Sequence, residues 1–136
     1  MTTVVWFKRD LRVDDHAPLH AGSADSIIPL YIVEPDYWQL ADTSARQWAF
    51  IHESLQGLDQ ALAELGAPLV VRSGDAIGVL EQLWQESGFI RLVSHEETGN
   101  DWTFRRDQAV AQWCRRRGVD WYEYRQFGVV RGDHNR

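Results

Sequence analysis

Val4-Val5-Trp6-Phe7-Lys8-Arg9-Asp10-Leu11-Arg12 is the stretch on which the reading of this chain turns. An apolar run passes without a turn residue into alternating charge. That pattern suits a parallel strand buried on both faces, whose charged elbow delivers a loop to a crevice at its carboxyl end. Taken alone, Lys8, Arg9, Asp10 and Arg12 are equally compatible with a solvated loop whose ion pairs contribute little.

Outward from this stretch, strands alternate with helices. Residues 3–7 read as the first strand, and a charged loop leads to a short helical turn over residues 15–21, with Pro18 in its first turn. Residues 26–33 form the second strand, where Pro29 removes a ladder donor and belongs near the start or at an irregularity. The loop over 34–43, carrying Pro35, Tyr37 and Trp38, is longer than a plain connection needs. Ser44-Ala-Arg-Gln47 is a capping box, and Trp48, Ile51, Leu55, Leu58, Leu62 and Leu65 recur at helical steps until Gly66. Residues 68–72 are a third strand, followed by a helix capped by Asp75, carrying Ile77, Leu80 and Leu83 and ending at Gly88. A fourth strand covers 89–94, a polar loop 95–99, a further helix runs from about 100 to 117, and 119–124 is the fifth strand. Such βαβ alternation predicts an α/β fold, a doubly wound parallel sheet covered on both faces. Residues 1–125 form the expected domain, and 126–136 read as the start of a linker in a longer parent chain.

Composition narrows the functional classes. The 136 residues carry a net charge of −6, and Lys8 is the only lysine among 14 basic residues. An acidic domain repels a polyphosphate backbone, which argues against general nucleic-acid binding. No apolar stretch approaches the roughly 20 residues needed to cross a bilayer, and no signal-peptide pattern precedes the first strand, so a cytoplasmic location is the default expectation. Cys114 stands alone and reads as an inert helical thiol, neither a disulfide partner nor a zinc ligand.

Ligands of open α/β sheets lie beyond the carboxyl ends of the strands where strand order reverses. With strand one central, the loops to inspect are 8–15, 34–43 and 95–102. They are polar and punctuated by Phe7, Tyr37, Trp38 and Trp102, a setting suited to a planar, partly anionic molecule between rings and guanidinium groups. The chain has no Gly-x-Gly-x-x-Gly, no Walker-type loop, no Gly-x-Ser-x-Gly elbow, no paired-His helix motif and no Cys pair. Glu96-Glu97 reads as a solvated pair, and His95 as a polar residue at a strand end. No self-contained catalytic set is visible.

The residues themselves carry a resemblance. Trp6 to Arg12, followed by Asp14-Asp15-His16-Ala17-Pro18-Leu19, resembles the N-terminal signature of the photolyase/cryptochrome family, Trp-Phe-Arg-Arg-Asp-Leu-Arg followed by Asp-Asn-x-Ala-Leu. Lys8 replaces an arginine of that pattern and Asp15 an asparagine. Weaker echoes are Ser44-Ala45-Arg46 with residues 50–55, Leu65-Gly66, Gly74-Asp75 and Arg106-Asp107, so the similarity runs over nearly the whole chain. The resemblance implies a three-layer Rossmann-like sandwich with a five-stranded parallel sheet of order 3-2-1-4-5. It implies a light-harvesting antenna domain, while the FAD that repairs DNA or signals belongs to a C-terminal helical domain absent from these residues. A crevice for an antenna chromophore of FMN, deazaflavin or lumazine type maps onto Phe7, Lys8, Arg9, Asp10, Leu11, Glu34, Tyr37, Arg46, Glu97 and Trp102. The folate type fits less well, because Trp102-Thr103 stands where that site uses Asn-Glu. The expected partner is the helical FAD domain, with no direct DNA contact, no membrane and self-association through uncovered apolar surface. The chain by itself is then not expected to catalyse repair, whereas the parent would be a photolyase-like lyase or a photoreceptor. Two other readings stay open: a stand-alone adenine-nucleotide-binding domain, and a structural or interaction module with an empty pocket.

Overall fold

In the computed structural model residues 2–8, 26–35, 45–96, 101–124 and 130–133 are described, with the backbone alone at 45–48 and 130–133. The strands are β1 Thr2–Phe7, β2 Ser26–Val33, β3 Val70–Ser73, β4 Arg91–His95, β5 Asp120–Tyr124 and β6 Val130–Asp133. The helices are α1 Ala45–Glu64, α2 Ala76–Ser87 and α3 Asp101–Arg117. Strand order is β3-β2-β1-β4-β5-β6, parallel throughout except for β6, which pairs antiparallel with β5. The parallel order 3-2-1-4-5 is the expected one. The sixth strand is not, because its four residues carry no alternation that marks a strand by itself. The helical turn expected over 15–21 and the Ser44 cap lie outside the described residues.

The pleat of β1 explains the three layers. Successive strand side chains point to opposite faces, so Val4 and Trp6 join Leu30, Leu80, Leu83, Leu92, Val110, Trp113 and Trp121 beneath α2 and α3. Val5 and Phe7 join Tyr31, Leu55, Leu58, Leu62 and Val93 beneath α1. Val4, Val5, Trp6 and Phe7 are all essentially inaccessible, as a central strand covered on both sides requires. Pro29 is accommodated because β3 pairs with β2 only from Leu30 onward, leaving the proline where the strand has one neighbour. Phe89 and Ile90, expected in the fourth strand, precede it: Phe89 turns into the core, with its ring centroid 5.9 Å from that of Trp113. Cys114 is a buried free thiol on α3. No helix among the described residues is long and apolar enough to cross a membrane.

The helix ends follow the local chemistry. Asp75 caps α2 by accepting the Gly78 amide hydrogen at 3.0 Å, and Gly88 closes it in the left-handed region at φ 65° with its N–H on the Trp84 carbonyl. Glu81 ties α2 to α3. It accepts the Trp113 indole N–H at 2.9 Å, Arg117 Nε at 2.9 Å and Nη2 at 2.7 Å, and Gln85 Nε2 at 2.8 Å. These donors, the Trp113 N–H foremost and then Arg117 and Gln85, hold its carboxyl down from 4.5 to about 2. Because the folded value is depressed, the stabilisation is complete above the unfolded value and is lost as pH falls from about 4.5 toward 2. Urea midpoints of the parent chain and Glu81→Gln are therefore expected to differ most at neutral pH and to converge near pH 2. A gap that is constant across this window would show that Glu81 is not the group titrating.

Candidate functional site

Beyond the carboxyl ends of β2 and β3 lies a crevice of about 600 Å³. Glu34 and Pro35 after β2 form one wall, the Gly74–Ile77 turn into α2 a second, and Trp102, Arg105, Arg106 and Ala109 of α3 the third. The α3 contribution is one helical stripe at i, i+3, i+4 and i+7, so a single face of the helix supplies an indole, two guanidinium groups and a methyl. With Glu34 and Asp75 opposite Arg105 and Arg106, the lining carries two carboxylates and two cations. It is electrically balanced, and its apolar surface comes from Pro35, Ala76, Ile77, Ala109 and the Trp102 ring.

A buried ionic chain supports this wall. Arg106 Nη1 donates to Glu34 Oε1 at 2.6 Å, and Arg106 Nε stands 2.7 Å from Asp107 Oδ1. Asp107 in turn pairs with Lys8 Nζ at 3.2 Å, and the ammonium lies 3.9 Å from Glu123 of β5. The side chains of Lys8, Glu123 and Arg106 are 3%, 5% and 7% exposed, which puts the chain in the interior, where lone charges are not tolerated. The Lys8 ammonium also sits 4.4 Å from the centroid of the Trp6 ring and 5.5 Å from that of Trp121. Arg106 Cζ is 4.9 Å from the Trp6 ring and 5.5 Å from that of Trp102. The two buried rings, Trp6 and Trp121, have centroids 6.1 Å apart, and the Trp121 N–H donates to Ser94 Oγ at 3.0 Å.

Of the residues read from the sequence as a binding site, Glu34 and Trp102 line the crevice. Phe7 is packed in the core under α1, and Lys8 lies in the buried ionic chain on the opposite face of the sheet. Arg9, Asp10, Leu11, Tyr37 and Glu97 lie outside the described residues, as does the side chain of Arg46. His95 ends β4 and is buried. Arg105, Arg106 and the Gly74–Ile77 turn were not singled out for the site. The signal for the arginines was present in the Trp102, Arg105, Arg106, Ala109 stripe. The turn after β3 carries none, because β3 lies outside the pair of strands that flank the reversal. No group of three or more His, Cys, Asp or Glu able to hold a metal occurs among the described residues.

The profile of the DNA photolyase family matches residues 3–131. The chain belongs to this family. It corresponds to the N-terminal domain of photolyases and cryptochromes, and its five parallel strands in the order 3-2-1-4-5 are the sheet of that domain. Deoxyribodipyrimidine photo-lyase of Escherichia coli is 37% identical over 100 residues, 68% of this chain and 21% of that protein. Cryptochrome-2 of Gallus gallus is 31% identical over 120 residues, 87% of this chain and 20% of that protein. A class III photolyase from Agrobacterium tumefaciens superposes with a TM-score of 0.80 at 29% identity, over 91% of this chain and 25% of that one. An archaeal photolyase from Sulfolobus tokodaii, solved with two FAD molecules, gives 0.79 at 27% identity over 92% of this chain and 29% of that one. The photolyase-family domain thus spans about a fifth to three tenths of the length of these relatives.

Removing the ammonium would leave Asp107 and Glu123 facing one another without their shared cation. Lys8→Met is accordingly expected to lower unfolding stability by about 3–5 kcal/mol, as for other broken buried pairs. Lys8→Arg, which keeps the charge, is expected to lose far less. Urea titration of the three proteins measures this, and equal losses in both variants would sink the argument.

Proposed function

We propose that this domain is the antenna-chromophore domain of a photolyase or cryptochrome. In this reading it works beside a helical FAD domain and harvests light rather than catalysing a reaction. The observation that carries the reading is the crevice at the strand ends, wide enough for a tricyclic or bicyclic ring system and lined for one. Trp102 offers an aromatic face, Pro35, Ile77 and Ala109 exclude water, and Arg105 and Arg106 offer donors to ring carbonyl or phosphate oxygens. Glu34 and Asp75 offer acceptors to the hydroxyls of a ribityl chain.

These residues fit a flavin- or lumazine-type chromophore. When bound, such a group would supply strong absorption in the blue or near ultraviolet and pass its excitation on by dipole coupling. The protein's part is to hold it rigidly and dry, which an Arg106 clamped between Glu34 and Asp107 favours over a mobile side chain. Phe50 and Phe104, both largely exposed, offer apolar surface that a neighbouring domain could cover.

Titration of the purified chain with FMN, a ribityl lumazine and folate, followed by fluorescence polarisation, tests the reading. FMN or the lumazine is expected to bind, with Trp102→Ala and Arg105→Gln each weakening the affinity about tenfold, the size of one aromatic or charge-assisted contact. If none of the three bound the parent chain, the domain would be a structural module.

A further inference from the structure

The indoles nearest the crevice share an unusual electrostatic setting. Arg106 forms part of the crevice wall and stacks on both Trp102 and Trp6, and behind it Lys8 stacks on Trp6 and Trp121. Three of the chain's seven tryptophans therefore form a column leading inward from the crevice, with a cation against each ring. A positive charge on the face of an indole is attracted to its quadrupole and opposes removal of an electron from that ring, because the product would place two positive charges in contact.

Trp113 shows the opposite arrangement in the same molecule. Its N–H donates to the Glu81 carboxylate at 2.9 Å, where a developing positive charge is stabilised and the proton has an acceptor. Trp113 packs against Phe89 just before β4 begins, at the end of the sheet opposite the crevice. Trp121, by contrast, gives its N–H to the neutral Ser94 hydroxyl. The indole whose oxidation is favoured thus lies far from the crevice, and those beside it are faced by cations.

We propose that Arg106 and Lys8 insulate the crevice electronically, keeping Trp102, Trp6 and Trp121 from acting as electron donors to a photoexcited ring bound there. This rests on the chromophore-binding reading above. The step suppressed is a one-electron transfer: an indole loses one electron and becomes a radical cation, and the excited ring takes up that electron, ending the excited state without passing its energy on. A light-harvesting site needs a long-lived excited state, and stacked tryptophans would otherwise shorten it. The two cations are then positioning and electrostatic groups for the site's photophysics, in addition to holding the fold.

The experiment is the excited-state lifetime of FMN bound to the chain, with binding followed in the same samples by polarisation. The parent chain is expected to keep a lifetime close to that of free FMN. Arg106→Gln is expected to shorten the lifetime of the bound fraction by about threefold or more, since the charge facing two rings is gone. Arg106→Lys is expected to retain it, and Trp6→Phe with Trp102→Phe in the Arg106→Gln background to restore it. Should Arg106→Gln not fold, the double variant Lys8→Gln/Glu123→Gln, which removes opposite charges together, takes its place with the same expectation. Bound FMN whose lifetime is already collapsed in the parent chain, or is indifferent to Arg106→Gln, overturns the inference alone. FMN that does not bind the parent chain overturns the reading on which it rests.

Discussion

The contact on which the site end of this domain depends is the ammonium of Lys8, held between Asp107 and Glu123 against the rings of Trp6 and Trp121. A lysine buried at the end of a central strand is expensive in isolation. Here it is offset twice, by carboxylates from α3 and β5 and by two indole faces. The result joins the central strand to the outermost parallel strand and to the helix that walls the crevice, at the end of the sheet where a ligand would enter.

Asp107 links that interior cation to the crevice. It stands between Lys8 and Arg106, and Arg106 is held from its other side by Glu34, so a crevice-lining guanidinium is fixed by groups from β2 and α3 with its own face on Trp6. The scaffold and the candidate site are consequently one electrostatic system. The Glu81 hub plays the corresponding role at the other end of α3, where Trp113 and Arg117 bind α3 to α2. Between them these two clusters set the helix's position along the sheet, and with it the positions of Trp102, Arg105 and Arg106.

Much of the fold was legible because it rests on local periodicity. The unbroken apolar run of Val4 to Phe7 marks a strand covered on both faces, the Leu55, Leu58, Leu62 stripe marks a helix lying on a sheet, and Asp75 and Gly88 mark where α2 starts and stops. The strand β6 was not legible, since four residues without alternation become a strand only by pairing with β5. In the site, Glu34 and Trp102 were found because they close strands or open helices at the reversal. Phe7 and Lys8 were read together as a crevice wall, although neighbours in a strand point to opposite faces, and the structure sends one under α1 and the other under α3.

The sequence by itself determined the elements, their order and the family, because hydrophobic period, caps and the Trp6 to Arg12 signature are written in consecutive residues. Only the tertiary structure decided which charges meet. Lys8 and Asp107 are 99 residues apart and Glu34 and Arg106 are 72 apart. Periodicity says which face of an element a side chain occupies, but not which other element will lie against it. That is decided by the sheet order and by the depth at which α3 packs, and the crevice, its balanced charge and the cations on its indoles all follow from that placement.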